Sequence, residues 1–183
     1  MSNTRVELKR VTTQYVVEED RVRLAGEVDG GGVVVLWLTQ RLLNRLVAPV
    51  CAWLEKLPAV SEVSDATSSA RPPIDPAQRL KQSFAQEAAR AALVRQPPVA
   101  AESAGSEWLV ISVDIARGER LLRLTFKGKA GEAINLTLPR EPLRQWLSIL
   151  FQQYQSAQWP IAAFPLWVRT APQRAPVPPS VLH

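Results

Sequence analysis

The sequence predicts an α+β protein of two related antiparallel β-meander-plus-helix (βββα) units that share one core. A link carrying one extra helix joins them. Three observations lead there. Strand patterns near both ends of the chain are broken by glycine-rich turns, and each third strand runs into a helix with a single apolar stripe. The two ends also superpose at an offset of 100 residues. The expected boundaries are 1–57 for the first unit, 58–106 for the link with a helix from about 76 to 95, and 107–158 for the second unit. A Trp/Pro-rich segment and tail follow at 159–183.

In the first unit, Val6, Leu8 and Val11 through Val17 read as a strand that ends in the acidic turn Glu18-Glu19-Asp20. Val22, Leu24 and Val28 continue as a second strand. Asp29-Gly30-Gly31-Gly32 is a hairpin signal, because glycine supplies the positive φ of tight turns. A third strand, Val33 to Leu38, leads to Thr39 as a helix N-cap. Leu43, Leu46, Val47, Val50 and Leu54 then form one stripe, inside which Pro49 predicts a kink or a split.

The link opens with a Ser/Ala/Pro-rich stretch from Pro58 to Pro73, read as mobile. Asp75-Pro76 starts a helix whose apolar stripe is Leu80, Phe84, Ala88 and Ala91. Pro97-Pro98 ends that helix, and a loose stretch is expected up to Ser106. In the second unit the strands are Trp108 to Ile115, Leu122 to Phe126 and Ile134 to Leu138. Their turns lie at Arg117-Gly118-Glu119 and around Gly128 and Gly131. The helix stripe is Leu143, Trp146, Leu147, Leu150 and Tyr154. Beyond it, Trp159 to Val168 is aromatic and proline-rich, and from Thr170 a disordered or polyproline II tail is expected.

Composition is that of a globular chain, with 46% hydrophobic and 21% charged residues. No basic stretch followed by an apolar one opens it, and no apolar run reaches the ~18 residues of a spanning helix. Cytoplasm is therefore the expected location, with which a single cysteine, Cys51, agrees. The net charge is +5, and the excess sits late: residues 107–183 hold nine Lys/Arg against five Asp/Glu.

Candidate chemistry is sparse. The one histidine is His183 and the one thiol is Cys51, so a His/Cys metal site and a His-based triad lack their parts. No phosphate-cradling glycine loop of the P-loop or dinucleotide type occurs. The expectation is a non-catalytic binding, adaptor or assembly protein without metal, cofactor or membrane span, working on a protein partner or on its own copy. Val33, Val35 and Trp37 make the third strand apolar on both faces, so it must be covered twice. They form the expected protein interface together with Trp159, Phe164 and Trp167. The alternative is nucleic-acid binding by a basic sheet face that includes Arg120, Arg123, Lys127 and Lys129, flanked by Arg140 and Arg144.

Overall fold

The computed structural model of the protein describes residues 6–56 and 75–170. Stretch 57–74, which holds the expected mobile link, and the proline-rich tail 171–183 lie outside the described residues.

The first unit consists of β1 (Leu8–Val16), β2 (Arg21–Val28), β3 (Val33–Leu38) and α1 (Gln40–Glu55). Thr39 caps α1, its hydroxyl accepting from the Leu42 N–H at 3.3 Å. The stripe Leu43, Leu46, Val47, Val50 and Leu54 is buried as the spacing predicts. Pro49 does not split the helix, which runs unbroken to Glu55. Proline there removes a hydrogen bond to the Arg45 carbonyl; Arg45 and Ala48 are exposed, so the freed carbonyl lies on the solvent side.

The link contributes α2 (Pro76–Ala91), shorter than the expected helix, and a 3-10 turn at Ala101–Ser103. The second unit consists of β4 (Ala104–Leu109), β5 (Ser112–Arg117), β6 (Leu121–Lys127), β7 (Ala133–Pro139) and α3 (Arg140–Ser156), followed by the single turn α4 (Leu166–Arg169). The strand expected from Trp108 to Ile115 is thus two strands. The chain turns at Val110 and Ile111, where the Val110 N–H still bonds Trp37 O in one sheet (3.0 Å) and the Ile111 N–H bonds Lys127 O in the other (2.9 Å).

β1-β2-β3-β4 form one sheet and β5-β6-β7 the second. Only β3 and β4 pair in parallel; the other strand pairs are antiparallel. The two units repeat closely. Leu24 pairs with Leu36 and Leu124 with Leu136. The Val28 N–H reaches Gly32 O and the Gly128 N–H reaches Glu132 O, both at 2.9 Å. Gly31 and Gly131 take φ of 84° and 90°, a region that favours glycine.

The repeat extends to how the units meet. Val35 pairs with Glu107 where β3 joins β4, and Asn135 bridges Glu7 where β7 meets the start of β1. Each contact is the other moved by 100 residues, with the units exchanged. The first strands break this offset. Val11 pairs with Gly26 but Val113 with Phe126, so β1 and β5 correspond at 102. The second unit has two additional residues at the Val110–Ile111 corner and a hairpin two residues shorter.

One continuous core joins both units. The helices reach across it: Trp146 Nε1 on α3 donates to Thr13 Oγ1 on β1 (3.1 Å), and Trp53 Nε1 on α1 donates to Gly118 O beyond β5 (3.0 Å). Edge-to-face contacts, with ring centroids 4.9–5.4 Å apart, link Tyr15, Trp159, Tyr154, Phe164 and Phe151. Each such pair contributes about 0.5–1.5 kcal/mol beyond burial of its area. Among the described residues no helix is long and apolar enough to cross a membrane.

Both tyrosines of the chain hold their protons tightly. Burial pushes the Tyr154 phenol well above its ordinary value, and the phenol donates to Asn44 Oδ1 at 2.8 Å. Tyr15 is raised first by its hydrogen bond to Asp20. A raised folded-state value means the stabilisation is complete below the unfolded value of about 10 and is lost as pH rises through the folded value. In an ultraviolet titration followed with circular dichroism, phenolate absorbance is expected only above pH ~10, rising as the fold is lost. Ordinary titration of both phenols with native dichroism would contradict this placement.

Candidate protein-binding surface

Sequence periodicity places Leu80, Phe84, Ala88 and Ala91 on one side of α2, and the natural expectation is that this side packs inward. The structure reverses it. The buried residues of α2 are Gln82, Gln86 and Ala89. Leu80 and Phe84 are 57% and 62% exposed, and Ala88 and Ala91 also face solvent.

The reason lies beneath the helix. α1 ends against α2, and its last carbonyls need donors. Gln78 Nε2 donates to Glu55 O (3.1 Å), Gln82 Nε2 to Leu54 O (3.4 Å), and Arg140 Nη1 to Leu54 O (3.3 Å). Gln86 Nε2 donates to Arg144 O (2.9 Å) and Ser148 Oγ (2.6 Å), while Arg144 donates to the side-chain oxygens of Gln82 and Gln86. Arg144 is buried, with its guanidinium carbon 5.0 Å from the Trp167 ring centroid. Burial first, and the nearby charge of Arg140 second, push its pKa down to about 10. An apolar α2 face would take from the Glu55 carbonyl and the buried Arg144 guanidinium the partners that Gln78, Gln82 and Gln86 supply, at a cost of about 1–3 kcal/mol each. The glutamine face therefore goes inward and the apolar stripe outward.

The exposed stripe continues beyond the helix into Leu93 and Val94, which are 38% and 75% exposed. These two residues line an open groove of about 640 Å³. Its other walls include β1 at Lys9, Val11, Thr12 and Thr13 and α3 at Pro142, Gln145 and Ile149. Among the described residues, its charged lining is Lys9 and Arg95, with no Asp, Glu, His or Cys.

The surfaces expected from sequence are placed elsewhere. Val35 is buried with Ala25 and Val99, and Val33 and Trp37 pack half-buried against this cluster with Ala101 and Ala104. Trp37 Nε1 also donates to Glu107 Oε1. The second cover of β3 is thus the stretch from Val99 to Ala104, which was expected to be loose. Trp159, Phe164 and Trp167 are buried in the main core, so they pack the protein and present no surface to a partner. This corrects the interface reading of Val35 and the three aromatic residues.

On the basic side, Arg120, Arg123 and Lys129 are exposed, with Arg123 Nε donating to Thr137 Oγ1 at 3.1 Å. Lys127 is half-buried and ion-paired with Asp114. Arg140 and Arg144 do not flank this face: Arg140 lies 4.4 Å from the Trp53 ring centroid, and Arg144 is internal. Cys51 is buried, and among the described residues no group of three or more His, Cys, Asp or Glu is placed to hold a metal. No protein-family model, curated protein or solved structure matches the chain.

If the glutamine face seats α2, removing one amide should loosen that helix first. Gln86→Leu is expected to lower stability by about 1–3 kcal/mol, because Ser148 and the Arg144 carbonyl lose a buried partner. Hydrogen exchange should quicken along Pro76–Ala91 before it does in the strands. Unchanged exchange in α2 would contradict the seating.

Proposed function

We propose that this chain is a non-catalytic protein-binding or assembly module that meets its partner through the outer face of α2 and the groove that adjoins it. One observation carries the reading: an amphipathic helix is anchored through its polar side, leaving Leu80, Phe84, Ala88 and Ala91 in water. Contiguous exposed apolar surface on a folded protein marks a contact site more often than scattered single residues do. The anchoring accounts for the helix's orientation without assigning its aromatic and aliphatic outer residues any internal role.

Two further features support a binding role over catalysis. Among the described residues, the groove beside β1 is lined by two cations with apolar and neutral polar side chains, and by no carboxylate, imidazole or thiol able to move a proton. The buried Arg144 guanidinium donates to the oxygens of Gln82 and Gln86, and the part-buried Arg140 to the last carbonyls of α1. The nucleic-acid reading is the weaker one. On the face of β6, Asp114 offsets Lys127, and Glu119 and Glu132 stand among Arg120, Arg123 and Lys129, which interrupts the positive track a phosphate backbone needs.

The test is a charged substitution on the stripe. Leu80→Glu combined with Phe84→Glu should abolish self-association in light scattering, or recovery of a co-purifying protein by the full-length chain. Exposed positions tolerate such changes within about 0.5 kcal/mol, so the melting temperature should hardly move. A chain that is monomeric and captures no protein, or whose association ignores both substitutions, overturns the reading.

A further inference from the structure

We propose that the groove beside β1 takes an extended, acidic segment of a partner protein, which adds to the sheet as a further strand. The inference rests on the protein-binding reading above and specifies the conformation and charge of what is bound.

β1 is one of the two edge strands of its sheet, β4 being the other. The Tyr15 N–H points away from β2 and donates to Gln153 Oε1 at 2.8 Å. Peptide groups on an antiparallel strand alternate in direction, so those of Thr13 and Val11 point outward as well. Gln153 occupies the place of a neighbouring strand's carbonyl at one end of this edge. At the other end β7 closes it, where the Asn135 N–H donates to Val6 O at 2.9 Å. Between these two stops the edge faces the groove, which Lys9, Val11 and Thr13 all line. An unpaired strand edge is a template for another strand, and the peptide groups supply the affinity whatever the side chains. The regular edge accommodates about five residues at ~3.3 Å each.

The walls set the chemistry. Pro142 and Ile149 on one side and Leu93 and Val94 on the other offer apolar seats for alternate side chains of an extended segment. The charges are Lys9 and Arg95 with no carboxylate among the lining residues, so the complementary segment is acidic. Lys9 also reaches Asp29 at 3.1 Å, but both side chains are largely exposed and such a pair exchanges readily with a competing carboxylate. A helix would match neither the spacing nor the direction of the edge groups.

The repeat supplies an internal control. β5 corresponds to β1 and α1 to α3, and the matching space between Leu42, Leu46, Val113 and Ile115 is about 200 Å³ against about 640 Å³. It lacks a wall equivalent to Leu93–Pro98. Of these two corresponding edges, strand addition is therefore assigned to β1.

The probe is a displayed library of random peptides, each about twelve residues long, selected on the full chain; that length exceeds the edge and leaves register free. Enriched peptides should carry Asp or Glu beside alternating apolar positions. Bound peptide should slow hydrogen exchange at the Val11 and Thr13 amides and leave Val113 and Ile115 unchanged. Methylating the amide nitrogens of one alternate set of peptide residues should abolish binding, whereas the other set should tolerate it. Arg95→Glu should weaken binding about fivefold, and a peptide with its acid replaced by Lys should recover it. Failure to enrich any peptide, indifference to both methylation sets, or unprotected Val11 and Thr13 overturns the proposal. If binding is instead lost with Phe84→Glu while β1 stays unprotected, the docking role of α2 survives and strand addition does not. If neither surface binds peptide or protein, both fall.

Discussion

β3 is apolar on both faces, and most of the architecture follows from the need to cover it twice. Leu36 and Leu38 face the main core, and Val35 faces the opposite way. The second cover is Val99, Ala101 and Ala104, drawn from the link between the units. That stretch, brought over β3, continues alongside it as β4, which pairs with β3 in parallel. The same movement carries the chain into β5, so one requirement for burial joins the two sheets and fixes Leu93–Pro98 as a wall beside β1. Burying a valine or leucine side chain stabilises by about 1.5–3 kcal/mol, enough to order a short segment that has little other reason to stay.

A second constraint acts at the end of α1. Its terminal carbonyls lie against other protein groups, with water partly excluded, and the sequence meets them with amides and guanidinium groups: Gln78, Gln82 and Arg140. Positive and amide donors suit a helix C-terminus, where the backbone dipole is negative. Arg144 costs more. Its depressed pKa reflects a cation short of solvent, and the oxygens of Gln82 and Gln86 offset part of that loss. A polar underside obliges α2 to turn its remaining face outward. The exposed stripe is thus a consequence of how α1 is finished.

The repeat was legible in sequence because its determinants are local. Glycine at positions 31 and 131, the alternation of β2 and β6, and the stripes of α1 and α3 each act within a few residues. The slip of two residues between β1 and β5 was not legible, since an alternating strand reads the same after a shift of two. Orientation was also beyond reach. Periodicity tells which residues of α2 share a face, not whether that face meets core or water, and here buried carbonyls on another helix decide. Trp159, Phe164 and Trp167 show the same limit from the other side. Their apolar character was plain, but what makes them core rather than surface is what they meet: Tyr154 for Trp159 and Phe164, Phe151 for Phe164, and Arg144 with Glu55 for Trp167.

Two similar units sharing one core leave little surface that is unique to either. What breaks the repeat is the connection, because a chain needs only one. α2, Leu93–Pro98 and Val99 all come from that connection: α2 lies on α3, Leu93–Pro98 beside β1, and Val99 over Ala25 of β2 and Val35 of β3. The wide groove beside β1 and the narrow one beside β5 differ for this reason. A duplicated scaffold of this kind repeats its core and leaves the surfaces without a counterpart to the part that is not repeated. The exposed stripe lies on the connecting segment itself, and the open strand edge faces the groove that Leu93–Pro98 of that segment wall.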